Sequence, residues 1–246
     1  MNRVVLITGG TSGIGLTIAK KALQSDDRVV LLSVDDEKKI ETALQALRPF
    51  VDITIYHTDV SNENECKNTV DKVYAKYGRI DVLVNCAGVL GEICPVLEAN
   101  LKDVYRTIQI DLMGSLYMGM YVAKHMKEQL SGVIINMSSV CGTIAANESI
   151  GYHAAKGGVD MATKVWAKVL APYGIRCVGV APGAVRTPIL DPEWEKEGRK
   201  LHMRERLIEP EEIAEVVYFL STEKASAING TTIMVDDGYT SFKGIW

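Results

Sequence analysis

Seven short apolar runs, separated by helical patterns, constrain this chain more than any other feature. Residues 3–10 (RVVLITGG), 28–33, 52–60, 80–88, 132–139, 175–183 and 231–238 are rich in Val, Ile and Leu and mostly end in Gly, Ser, Pro or Asp, which predicts buried strands. Helical spacing fills the gaps at 14–25, 35–47, 63–77, 97–130, 151–171 and 210–221. Acids open the helix at 35–47, Gly78 ends the one at 63–77, and a proline stands at the start of the last. A polar, charged segment at 188–208 breaks the rhythm. Apolar strands alternating with helices predict an α/β fold, a parallel sheet covered on both faces. With 246 residues, no linker and no internal repeat, one domain over 1–246 is expected.

Composition excludes several function classes. The net charge is −4 and no run of Lys or Arg occurs, so nothing attracts nucleic acid or an anionic membrane surface. No apolar run is long enough to span a bilayer, and a strand beginning by residue 3 leaves no room for a signal peptide. Five scattered cysteines (Cys66, Cys86, Cys94, Cys141, Cys177) form no Cys-x-x-Cys, which argues against a disulfide framework or zinc site and for a reducing, cytoplasmic setting. The histidines His57, His125, His153 and His202 are isolated, without metal spacing. Met113, Met118, Met120 and Met126 fall on the long fourth helix and are expected in the core or an interface.

Parallel sheets bind ligands beyond the carboxyl ends of their strands, so those ends carry the functional signal. The first strand runs into TGGTSGIG, with Gly9, Gly13 and Gly15 across a strand-to-helix turn. Glycine permits the backbone approach that a pyrophosphate needs, and the following helix aims its free N–H groups at the phosphates. No Gly-Lys-Ser/Thr follows, so a P-loop is not expected. After the second strand come Ser33, Val34, Asp35 and Asp36; no basic residue stands ready for a 2′-phosphate, since Lys38 and Lys39 fall inside the helix, and the acids favour NAD without excluding NADP. Asp59 and Val60 follow the third strand, where adenine would lie. Asn85, Ala87 and Gly88 follow the fourth, Ser138 and Ser139 the fifth, and PGAVRT (182–187) the sixth.

Tyr152 opens a helix on that same edge, and Lys156, four residues on, shares its helix face. A phenol is a poor base at neutral pH; a nearby ammonium and the charge of an oxidised nicotinamide favour the phenolate. A second Tyr-x-x-x-Lys, Tyr239 to Lys243, is assigned no function.

TGGTSGIG, NCAG, a serine thirteen residues before YHAAK, and VAPGAVRTP, in this order from Val4 to Gly238, resemble the short-chain dehydrogenase/reductase family. The tail resembles that of its bacterial ketoacyl-reductase and hydroxysteroid-dehydrogenase branches. The resemblance implies a Rossmann-type, doubly wound seven-stranded sheet. It also implies hydride transfer between a nicotinamide cofactor and a secondary alcohol or ketone. Tyr152 would then be the general acid/base, Lys156 would bind the nicotinamide ribose, and Ser139 would hold the substrate oxygen. The cofactor would lie along Gly9, Thr11, Ser12, Gly13, Ile14, Gly15, Ser33, Asp35, Asp59, Val60, Asn85, Ala87, Gly88, Pro182, Gly183, Val185 and Thr187. Ile189, Leu190 and Trp194 would form an apolar substrate lid at about 188–208.

Two positions depart from the family pattern: Val178 stands where relatives often carry asparagine, which bears on local hydrogen bonding, and IDLMG places Asp111 where relatives often carry an asparagine associated with a water-linked proton relay to the lysine. An ionised Asp111 beside Lys156 would offset the lysine's pull on Tyr152. The apolar lid favours a hydroxysteroid or similar apolar substrate. The alternatives are a 3-oxoacyl thioester, an epimerase or dehydratase activity, or a nucleotide-binding protein without catalysis. The resemblance further implies a homotetramer, or a homodimer, paired through the helices at 97–130 and 151–171.

Overall fold

The computed structural model describes residues 2–50, 52–188 and 192–241. They form a parallel seven-stranded sheet in the order β3-β2-β1-β4-β5-β6-β7. The strands are β1 (Val4–Thr8), β2 (Arg28–Ser33), β3 (Ile53–His57), β4 (Val82–Asn85), β5 (Gly132–Met137), β6 (Ile175–Pro182) and β7 (Thr232–Val235). The helices are α1 (Gly13–Leu23), α2 (Glu37–Ala46), α3 (Glu63–Tyr77), α4 (Leu101–Ile108), α5 (Gly114–Gln129), α6 (Ile150–Leu170), α7 (Pro192–Lys200) and α8 (Pro210–Leu220).

Alternation along the strands explains the layers. Val5 and Ile7 of β1 face a core shared with α1 and α8, through Ile18, Ile213 and Val217. Val4 and Leu6 face a second core with α3 and α5, through Val70, Met118 and Met126. Each such buried aliphatic side chain contributes about 1.5–3 kcal/mol.

The strand order reverses beside β1, which pairs with β2 on one side and β4 on the other. Buried Thr8 ties the parting chains together: its hydroxyl accepts from the backbone N–H of Cys86 at 2.9 Å and of Ala87 at 3.0 Å. That crevice is where an open α/β sheet takes its ligand.

Three elements differ from expectation. Strands end earlier than their apolar runs, because the last residues of 3–10 and 80–88 turn away at the crevice. The helix expected at 35–47 starts at Glu37, since Asp36 caps it by accepting from Lys39 N at 2.9 Å. The single helix expected over 97–130 is broken. A 3₁₀ turn at Val96–Glu98 precedes α4, which Asn100 caps, and a π turn at Gln109–Met113 separates α4 from α5. Periodicity cannot register one extra residue in a turn, whereas the buried contacts of Asp111 in that turn can impose it. Part of the charged 188–208 segment is α7, whose Glu195 joins Arg186 and Arg199 in ion pairs of 2.7 and 2.5 Å.

Among the described residues no helix is long and apolar enough to cross a membrane, and no group of three or more His, Cys, Asp or Glu could hold a metal ion.

Candidate active site

The carboxyl ends of β1, β4, β5 and β6 open into one cavity of about 610 Å³. Its walls include Gly9, Ser12, Gly13, Ile14 and Gly15 from the first turn, and Ala87 and Gly88 after β4. Asp111, Ser139, Tyr152 and Lys156 lie beside them, with Pro182, Gly183, Val185 and Thr187 after β6, and Trp194 from α7. Ile189 and Leu190 lie outside the described residues.

The glycines are demanded by backbone contacts. Gly9 has φ +65°, and a Cβ there would stand 2.9 Å from Ala87 Cα. A Cβ on Gly15 would meet Gly9 O. The Ser12 side chain makes no capping bond, so the first-turn N–H groups of α1 remain available on the cavity wall. At Gly88 a Cβ would stand 2.9 Å from Asp111 Oδ2 and 3.4 Å from Lys156 Nζ, so only glycine leaves this floor open. The free N–H groups at the α1 terminus suit a phosphate, and the open floor at Gly88 leaves room for a bound group beside Lys156.

At the end of β2, Thr11 donates to Asp35 Oδ2 at 2.6 Å and shares a hydrogen bond of 2.7 Å with Ser33, whose hydroxyl accepts from Asp35 N at 3.0 Å. The Thr11 bond holds the Asp35 carboxyl below its usual range, with Lys39 and Ser33 assisting against burial. Lys39, set aside in the sequence because it lies inside the helix, reaches back to 3.3 Å from Asp35 Oδ1. This corner therefore carries both an acid and a cation.

Thr11, Ser33, Asp35, Asp59, Val60 and Asn85 are not among the residues that line this cavity. Asn85 donates sideways to Asn136 at 2.9 Å, Asp59 accepts from Ser61 N at 2.9 Å, and Val60 packs where a Cβ on Gly114 would stand 2.8 Å away.

The reacting corner is built by β5 and α6. Ser139 Oγ accepts from Cys141 N at 3.2 Å, and both Ser139 and Tyr152 line the cavity. Ser138 points elsewhere, toward Lys156 O at 3.5 Å. Lys156 is 5% exposed, donates to Met137 O at 3.1 Å, and stands 5.3 Å from the Tyr152 ring centre. Asp111 is fully buried: Oδ1 accepts from Val89 N at 2.8 Å, and Oδ2 lies 3.1 Å from Lys156 Nζ.

The electrostatics correct one expectation. Burial pushes the Tyr152 phenol above its ordinary value. Lys156 and Ser139 pull it down, while Asp111 and Cys141 push it up. The lysine's pull has the predicted sign, but it is outweighed. Burial likewise raises Asp111 above the usual carboxylate range despite Lys156. Lys156 is raised, because Asp111 and Tyr152 more than offset its desolvation.

Leu90, Ile93, Cys141, Asn147, Leu201 and Tyr239 also line the cavity, and none was marked in the sequence. They come from loops and a C-terminal turn with no motif. For Tyr239, the repeated Tyr-x-x-x-Lys spacing pointed to the residue without a reason to keep it.

A family model described as enoyl-(acyl carrier protein) reductase matches residues 9–240. The cyclopentanol dehydrogenase of Comamonas testosteroni is 33% identical over 246 residues, 98% of each chain. The cis-4-hydroxycyclohexanecarboxylate dehydrogenase of Sinomonas cyclohexanicum is 34% identical over 243 residues, 97% of each chain. The solved structure of ElxO with NADP bound superposes with a TM-score of 0.91 at 32% identity, covering 98% of this chain and 100% of that one.

Proposed function

The chain belongs to the short-chain dehydrogenase/reductase family and is an NAD(P)-dependent oxidoreductase acting on CH–OH groups, and we propose that its substrate is a small, uncharged, apolar secondary alcohol or the matching ketone. The observation that carries this is the cavity wall: Leu90, Ile93, Trp194 and Leu201 surround the site, and Lys156 is the only cation among the described lining residues. A phosphate-bearing or carboxylate substrate would need a charged partner there. One cavity must admit both the cofactor's reactive end and the substrate, which favours a small ring over a steroid.

The Tyr152 hydroxyl moves a proton to or from the substrate oxygen, and Ser139, on the same cavity wall, holds that oxygen. Lys156 keeps a positive charge beside the phenol, and Asp111 keeps Lys156 charged and in place. The bound nicotinamide supplies the hydride chemistry. We assign NAD as the preferred cofactor, because Asp35, its carboxylate held by Thr11 and its backbone N–H by Ser33, disfavours a 2′-phosphate more than exposed Lys39 favours one. We also place the enzyme in the cytoplasm, which suits its five free thiols, and as a homotetramer built through α4–α6.

Thermal melts with NADH and NADPH test the cofactor assignment: NADH raises the melting temperature at lower concentration. Stronger stabilisation by NADPH would overturn it. Tyr152→Phe removes the proton carrier and should lower kcat for a cyclic secondary alcohol by about 10²-fold or more while NADH still binds.

A further inference from the structure

Two polar side chains on the cavity wall are not used by the chemistry at Ser139, Tyr152 and Lys156. The first is Asn147. Its Oδ1 accepts from Ser149 N at 2.9 Å, and that N–H can face only an oxygen, so the orientation of the amide is settled. Its NH₂ group is turned the other way and meets only the Cys141 sulfur at 4.0 Å, a weak acceptor.

The loop that carries Asn147 is held firmly. Ala146 N donates to His153 Nε2 at 3.1 Å, His153 Nδ1 lies 2.7 Å from Ser149 O, and buried Ser149 donates to Leu90 O at 2.9 Å. His153, isolated in the sequence, serves as the bracket of this loop.

The second is Tyr239, in the turn after β7. Asp236, 5% exposed, accepts from Gly238 N at 3.1 Å and from Thr240 N at 2.8 Å. Asp237 pairs with Arg204 at 2.6 Å, which ties the turn to the segment after α7. The ring of buried His202 stands edge-on to Tyr239 with centroids 6.3 Å apart. The Tyr239 hydroxyl has no hydrogen-bond partner among the described residues, although the side chain lines the cavity. Cys141, Tyr152 and Tyr239 line the same cavity.

Polar donors set rigidly in a wall of Leu90, Ile93, Trp194 and Leu201 lose their hydration when an apolar ring enters. The loss is offset only if the ring brings an acceptor. We propose that Asn147 and Tyr239 recognise a second, uncharged oxygen on the substrate, so that the enzyme acts on diols, hydroxyketones or diones rather than on simple alcohols. The second oxygen is neutral because, among the described lining residues, Lys156 at the reacting corner is the only cation. This deepens the secondary-alcohol assignment and rests on it.

The full chain is assayed with whichever of NAD⁺ and NADP⁺ raises its melting temperature. Cyclohexanol and the cis and trans 1,4-cyclohexanediols are compared as alcohols, and cyclohexanone and 1,4-cyclohexanedione as ketones. The two-oxygen compounds should be preferred about tenfold or more in kcat/KM, since a site built to bond a hydroxyl or carbonyl rejects the analogue that lacks it. Asn147→Asp keeps the acceptor for Ser149 N and removes the donor, and Tyr239→Phe removes one hydroxyl. Each should bring the two-oxygen to one-oxygen ratio down several-fold, mainly through KM. Turnover of cyclohexanol with no preference for the diols, or a ratio unmoved in both variants, overturns the proposal and leaves the secondary-alcohol assignment standing. Cofactor binding with no turnover of any of the five compounds overturns both.

Discussion

Lys156 and Asp111 form a buried pair, and burial makes each dependent on the other. Removing one partner leaves an uncompensated charge away from water, which typically destabilises by about 3–5 kcal/mol. Lys156→Met should therefore lower stability by about that amount in denaturant melts, and adding Asp111→Asn should recover most of it. Two additive losses would show that the pair, 3.1 Å apart, is not coupled. Asp111→Asn alone tests the electrostatics of the reaction. The carboxylate raises both Lys156 and Tyr152, so its removal lets the phenol titrate lower. Alcohol oxidation needs Tyr152 deprotonated, so the acid limb of log kcat/KM against pH should move to lower pH. An unchanged profile would rule out a role for the charge. The presence of an acid at 111 is plain in IDLMG, but its contact with Lys156 is not: the two are far apart in the chain and meet only because the π turn brings Asp111 under Gly88.

Helix ends in this fold are specified by local chemistry, and α8 shows it. Pro210 opens the helix, and Glu212 accepts from the backbone N–H of Glu209 at 3.0 Å while pairing with both guanidinium nitrogens of Arg206 at 2.6 and 2.7 Å. Those bonds hold the Glu212 carboxyl down at about 2, below an ordinary 4.5. A depressed carboxylate stabilises the fold fully above its unfolded value and less as the pH falls through its folded one. Glu212→Gln should thus cost about 1 kcal/mol near neutral pH, a modest amount because the pair is exposed and screened. The difference from the parent protein should shrink between pH 4.5 and about 2 in urea melts; a constant difference would mean that only packing was lost. The same local legibility holds for the glycine-rich turn and for Gly78, whose φ of +71° ends α3 where glycine predicted it. It fails for the helix expected over 97–130, because its break depends on the contacts of Asp111 with Val89 and with Lys156 of α6.

Three apolar residues at helical spacing on α6, Met161, Val165 and Val169, are 57, 51 and 57% exposed, and Leu101 and Tyr105 of neighbouring α4 are 80 and 65% exposed. A stripe of this kind is stabilised by burial against a second copy of itself. Light scattering after size exclusion should show a dimer or tetramer at micromolar concentration, and Val165→Lys should shift it toward smaller species. A monomeric parent protein would refute the assembly.

Strand number, β-α alternation, the glycine turn at Gly9 and the shared helix face of Tyr152 and Lys156 were readable from residue order, because each depends on spacing along one strand, turn or helix; the choice of Ser139 over Ser138 rested on the family resemblance. The substrate end of the site was not. Leu90, Asn147, Leu201 and Tyr239 come from separate connections, and no local pattern marks them; the sheet order and the anchors at Asp236, His153 and His202 alone bring them to one cavity. The direction in which Asp111 acts on Tyr152 was anticipated at IDLMG through the family resemblance, but the balance of charges at the reacting corner was not. It follows from how deeply Tyr152, Lys156 and Asp111 are buried and how close they stand, and burial depth is a property of packing rather than of sequence.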